Sequence, residues 1–526
     1  MMVVVCAAMA YVGYLLDQDS PAPIEWDMQS GKNVKWWVPL GSQTYSNPTI
    51  HGDRIFIGSN NGNKYDSRFQ NDMGVMLCFE KATGKFLWQH VNAKLATGRS
   101  QDWPLQGVTS QAAADGDRLW YLSNRCEIVC LDTDGFYDNE NDGAFQGEAN
   151  ADLKSADVVW KVDLIKEFGV HPHNVSHCNV AVDSKRVYAK TSNGVKESHV
   201  ELASPEAPSF VVLDRKTGKT IWTDNSPGRN IFHGSWGSPR LATIKGKRQI
   251  LFPGGDGWLY SFEPGGDGQG NPILLWKFDC NPKAAAFRLG GAGQRNTLLT
   301  VPTVYQDRVY LTMGQDVEHG TGPSRIWCIE PGHRRGDISP TLVQRSEKSR
   351  PPHQIEFRHL DSENGDKEVP NPNSGLVWQY GMVDLGNGKT KSVFGRSLSE
   401  VRIKGELAFV TELNGYLHCL DVKDGTLNWR ADLLSSVWTS PLISGEHVFT
   451  FDEDGDVEIF VAHKDPAVAC PGDSPAITLE TFNAMSVYSN AAVENGTLYI
   501  ALRDRLYAIE DPKMPGRLEK LKRAFK

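Results

Sequence analysis

The chain has 526 residues, a formal net charge of −9 at pH 7 and 40% hydrophobic residues, a length that fits several ordinary domains or one large all-β domain. Its longest basic stretch is the short C-terminal RLEKLKRAFK. That charge pattern excludes a phosphate-backbone footprint, and with it nucleic acid as a partner.

Residues 1–16, MMVVVCAAMAYVGYLL, form an apolar segment of signal-peptide or membrane-anchor type. They predict a periplasmic or secreted protein, with tethering through this segment as the alternative to cleavage. Residues 17–32 read as a linker. Next comes VKWWVPL at 34–40, a strand with no hairpin partner of its own.

From there the same grammar recurs eight times. The units are NPTIHGDRIFIGS with LCFEKATGKFLW, AAADGDRLWYLS with IVCLD, VAVDSKRVYAK with VVLDRKTGKTIW, and SPRLATIKGKRQILFPGGDGWLYSFE. They continue with PTVYQDRVYLTMG and IWCIE, EVRIKGELAFVTELNGYLHCLDVKDGTLNW, SPLISGEHVFTFDEDGDVEIF, and NAAVENGTLYIAL with RLYAIED. Apolar alternation between Asn-Gly and Asp-Gly turns predicts antiparallel hairpins, four strands to a unit. Repeated four-stranded sheets predict an all-β, eight-bladed β-propeller over residues 33–511, followed by a tail at 512–526.

Three units keep a fixed interval from a carboxylate to a tryptophan: Glu80 to Trp88, Asp214 to Trp222, and Asp421 to Trp429. The carboxylate is expected to form the turn between the last two strands, and the tryptophan to lie over such a turn from a neighbouring blade. Asp132 with Trp160, Trp276 and Trp378 take the same places in other units. Cys78, Cys130, Cys328 and Cys419 each stand two residues before a carboxylate. One repeated position predicts a small buried core slot rather than four disulfide halves. The last unit stops after three strands, so strand 34–40 is expected to complete it and close the ring, and a monomer is expected.

The segments LDRKTGKTIW and LDVKDGTLNW resemble the tryptophan-docking repeat of pyrroloquinoline quinone (PQQ) dehydrogenases and of the outer-membrane assembly lipoprotein BamB. HGSWGSP, PGGDGWLYSFEP, GQDVEHGTGP and VWTSPLISGEHVFTFDEDGD look like secreted bacterial PQQ-like repeat proteins. The resemblance implies a propeller, and it implies either an interaction scaffold or a PQQ-dependent alcohol or sugar dehydrogenase. The enzymes of the family carry a vicinal Cys-Cys disulfide, a Glu/Asn/Asp calcium set and a catalytic Asp. This sequence has no adjacent cysteines, and no carboxylate matches the catalytic base. PQQ is therefore disfavoured, no cofactor is expected apart from an optional calcium ion, and no catalytic residue is assigned.

Aromatic residues recur ahead of inner strands at Tyr45, Trp236, Trp438 and Tyr488. They are candidates for the mouth of the axial channel, with inter-blade packing as the alternative. HPHNVSHCN adds His171, His173 and His177, with Cys178, as mouth or soft-metal candidates, and His233 adds a further mouth residue. The spacing of these histidines matches no standard metal site. Residues 133–152 are an insertion between the outer two strands of the second unit. Within it Asp134, Asp138, Glu140, Asp142 and Glu148 offer a calcium loop of EF-hand-like spacing, with Glu148 one place early and no flanking helices. A solvated acidic loop is the other reading. A second insertion, 331–374, occupies the equivalent place in the fifth unit. The expected partner is a protein of the cell envelope, or a small molecule or glycan at the channel mouth.

Overall fold

The computed structural model describes residues 21–287, 289, 294–314, 324–350, 360–386, 389–471, 475, 477–480 and 485–513. The predicted signal or anchor segment, the first residues of the linker and most of the C-terminal tail lie outside the described residues. So do 351–359 of the second insertion and 315–323, which hold most of GQDVEHGTGP.

Eight antiparallel sheets of four strands follow one another in a ring, as the repeats predict. In the sixth blade, Arg402–Lys404, Leu407–Glu412, Tyr416–Asp421 and Leu427–Asp432 run in chain order from the axis outward. Inner strands are short and partly exposed, whereas second and third strands bury almost every side chain. Alternation is lost there because both faces of each sheet are covered by neighbouring blades.

The core is accordingly not one mass. It divides into eight apolar clusters among the described residues, each filling one interface between successive blades. The eighth of these joins Tyr499 and Leu506 of the last blade to Ile55 and Phe79 of the first. The ring closes covalently unaided: Val34–Pro39 pairs antiparallel with Arg505–Glu510 as the outermost strand of the last blade. Residues 21–32, expected as a linker, pack along the ring. Ala22 and Trp26 are buried between the seventh and eighth blades, and the Ala22 amide donates to Ser444 Oγ at 2.8 Å.

Neighbouring blades are pinned by tryptophans. Trp88, Trp160, Trp222, Trp378 and Trp429 send Nε1–H to the backbone carbonyls of Thr133, Arg215, Pro264, Val422 and His463 in the next blade, at 2.8–3.2 Å. Trp36 on the closing strand does the same to Lys81 at 3.1 Å. Each of Glu80, Asp132, Asp214 and Asp421 stands immediately before its acceptor. A glycine under the ring makes the approach possible: at Gly218 and Gly425 a Cβ would stand 2.7 and 2.5 Å from the indoles of Trp160 and Trp378. Trp276 departs from the pattern, donating to Gln249 Oε1 within its own blade at 2.8 Å. The recurrent cysteines are buried and free, and in register Cys78, Cys130, Cys328 and Cys419 face Trp88, Trp160, Trp378 and Trp429.

Because the strands alternate in direction, loops entering inner strands and loops joining second to third strands share one face of the ring. Loops joining third to fourth strands emerge on the other. Both insertions are of the latter kind. The second contains the hairpin Thr341–Gln344 with Lys367–Pro370, and Gly336–Asp337 adds a parallel strand to the edge of the fourth blade. No described helix is long and apolar enough to cross a membrane.

Candidate functional site

The loops that enter the inner strands converge on the axis, where they enclose a cavity of about 360 Å³. The eightfold repeat makes its wall. One residue from each blade, at the same place in the repeat, lines it: Tyr45, Thr109, His177, Trp236, Leu299, Leu398, Trp438 and Tyr488 in blade order. The four aromatic candidates and His177 therefore meet here, and His233 lines the same space. Thr109, Leu299 and Leu398 escaped notice in the sequence because their residue types carry no signal. Only their register four places before the start of an inner strand marks them.

The aromatics are not equivalent. Tyr45 stacks on Tyr488 at 5.2 Å between ring centres, and Trp438 meets Tyr488 edge-on at 5.4 Å, forming a continuous wall across the seventh, eighth and first blades. Their polar ends are tied back: Trp438 Nε1 donates to Glu453 Oε1 at 2.8 Å and Trp236 Nε1 to the Val175 carbonyl at 3.1 Å. Both indoles thus line the cavity with their N–H groups already satisfied. Burial raises the Tyr45 hydroxyl pKa, so it remains a neutral donor and acceptor.

Below this wall a girdle of hydrogen bonds links the blades. The Gln111 amide donates to Asn179 Oδ1, Asn179 to Ser238 Oγ, Glu400 to Ser440 Oγ, Ser440 to Asn490 Oδ1 and Asn490 to Asn47 Oδ1, all at 2.7–2.9 Å. Asn47 Nδ2 continues to Gln111 Oε1 at 3.2 Å. The fifth blade has Val301 at this position, and its side chain offers no acceptor. There Arg240 bridges the gap, donating from Nε to the Pro302 carbonyl at 3.1 Å and from Nη2 to Glu400 at 3.4 Å. A fixed frame holds the ligand-facing side chains.

His171 and His173 do not line the cavity. His171 Nδ1 meets Gln101 Nε2 at 3.0 Å, and His177 Nδ1 meets Thr109 Oγ1 at 3.1 Å. The Cys178 thiol is buried and raised to about 11 by desolvation. His171, His173, His177 and Cys178 thus do not gather round one point. His173 instead lies with His199 and His233, whose possible ligand atoms all fall within 4.8 Å of one another. His199, on the long loop between the second and third strands of the third blade, was not visible as a candidate in the sequence.

The acidic insertion lies on the opposite face. It brings Asp134 and Asp138 together with Asp132, while Glu140, Asp142 and Glu148 stand outside that group. Asp142 pairs with Arg118 Nη2 at 2.7 Å, Glu148 accepts from the Val158 amide at 3.3 Å, and Asp134 pairs with Arg54 of the first blade. Burial lifts the Asp132 carboxyl to about 7, although Arg118 contacts it.

The described residues lining the axial cavity include no lysine or arginine, and Glu400 is their one carboxylate. That set does not fit PQQ, a planar quinone bearing three carboxylates that calls for cationic partners. It suits a neutral ring flanked by hydrogen-bonding groups.

Residues 368–465 match the model of a family described as outer membrane protein assembly factor BamB. Among solved structures, BamB from Moraxella catarrhalis is similar at 12% identity and a TM-score of 0.49, covering 91% of this chain and 98% of that one. A computationally designed protein, Ika8, is similar at 9% identity and a TM-score of 0.46, over 89% of this chain and 100% of its own. The comparison with curated proteins found no match. The repeat and the eight blades together make this a PQQ-like, BamB-like β-propeller.

Proposed function

We propose that the protein is a non-catalytic interaction scaffold of the cell envelope that receives a side chain of a protein partner in its axial mouth. The observation that carries this reading is the mouth itself: a run of aromatic side chains on one side, hydrogen-bonding groups around them, and a frame that fixes both before any partner arrives. Aromatic anchors in a preformed pocket are what concentrate binding energy at protein interfaces. The description of the matching family as an assembly factor favours a protein partner and an envelope location.

The test is capture from native envelope with the wild-type chain and a Trp236→Ala/Trp438→Ala variant. A partner retained by the first and lost by the second supports the reading. Equal capture by both overturns the mouth as the binding surface, and binding on a glycan array that the same variant abolishes would replace the protein partner with a saccharide. Dye-linked oxidation of alcohols or sugars after addition of PQQ and calcium would replace the scaffold with an oxidoreductase.

A further inference from the structure

Beside the axial mouth, three imidazoles from separate loops meet. His173 precedes the inner strand of the third blade, His233 precedes that of the fourth, and His199 sits in the loop 191–209. Ring centres are 4.7 Å apart for His173 and His199, 4.4 Å for His173 and His233, and 4.8 Å for His199 and His233. Three imidazoles sharing one ion at metal–nitrogen distances of about 2.0–2.1 Å would have ring centres roughly 5 Å apart. The observed triangle is slightly smaller, as three rings on one side of an ion would be.

The surroundings prepare the rings as ligands. His173 is fully buried, and its Nδ1 donates to the Val195 carbonyl at 2.8 Å. That bond fixes the tautomer and leaves the lone pair on Nε2, which is buried without a hydrogen-bond partner among the described residues.

The backbone is shaped to the same end. Gly194 lies so close to the two flanking histidines that a Cβ there would stand 2.3 Å from the His233 carbonyl and 2.8 Å from the His173 Cβ. The Val195 amide in turn donates to the His233 carbonyl at 2.8 Å, tying the loop to the fourth blade. His199 itself adopts φ of 61°, a left-handed conformation that costs a side-chain-bearing residue energy.

We propose that His173, His199 and His233 form a binding site for one divalent transition-metal ion of the zinc class, with imidazole nitrogen as the protein ligand. His233 also lines the axial cavity, so the ion borders the surface that receives the partner. The site is independent of the acidic insertion, which emerges on the other face, and its failure would leave the scaffold reading intact.

The full chain without an affinity tag, stripped with chelator, is titrated with cobalt(II) chloride and then zinc sulfate. One equivalent of cobalt should bind, with visible ligand-field bands distinct from the aqueous ion, and zinc should displace it and raise the melting temperature. His199→Gln, on a partly exposed turn, should weaken binding by more than ~100-fold while leaving the metal-free melting temperature near that of wild type. His233→Gln provides a second variant with the same expected loss. Less than a tenth of an equivalent bound at micromolar metal, or binding unchanged in both variants, would overturn the site.

Discussion

The recurrent Cys–Trp pairs show how one residue position carries an inter-blade contact. Each thiol sits across the strand from an indole, and for Trp88, Trp160 and Trp378 that indole also covers a glycine of the next blade, Gly135, Gly218 and Gly425. Trp429→Ala removes the ring and its bond to His463, and it should cost about 3–5 kcal/mol in urea unfolding. Trp276→Phe keeps a six-membered aromatic ring but loses the pyrrole half of a buried indole and its bond to Gln249 within the blade, so about 2 kcal/mol is expected. Glu458 gives a pH signature. Buried beside Thr450, with Asp452 and Asp456 near, its carboxyl is pushed up to about 8 by desolvation. The folded state therefore holds a proton that the unfolded chain releases near the ordinary glutamate value of about 4.3. Stability from this group is complete below that value and is lost as pH rises toward 8. Thermal melts between pH 5 and 8 should show the decline, and Glu458→Gln should flatten it; an equal slope in both proteins would refute the assignment.

Among the elements, blades and closing strand were legible because turn chemistry and alternation repeat, so each unit supports the reading of the others. Strand Val34–Pro39 was legible by subtraction, since the last unit lacked its fourth strand. Removing its pairing with Val38→Pro should expose the edge Arg505–Glu510 and the interface beside it. Concentration-dependent association on light scattering, with a lower melting temperature, is expected. The long loops were less legible because their partners come from elsewhere in the chain. EF-hand-like spacing suggested five calcium ligands, but Arg54 and Arg118 reach the loop from strands far away in sequence and engage Asp134 and Asp142. In the same way His199 is separated from His173 and His233 by intervening strands, and no local motif links them.

At the scale of the whole molecule, the two faces of the ring divide the work. Asp134→Ala/Asp138→Ala changes the face away from the axial mouth and should leave capture of a mouth partner within about twofold of wild type; a larger loss would show that the faces communicate. Five of the eight mouth positions were readable, four from their aromatics and His177 from its histidine-rich segment, and the other three were not, because a threonine or leucine becomes informative only once the register of all eight blades is known.

The girdle that joins Asn47 to Asn490 passes across the seam between the two chain ends as it passes between blades within the chain. The same is true of the apolar interface there. The ring therefore has a beginning only in the covalent sense. A gene rearranged to start between the sixth and seventh blades, with the old ends joined by a flexible connector, should still encode the same circle, and each mouth residue would keep its neighbours.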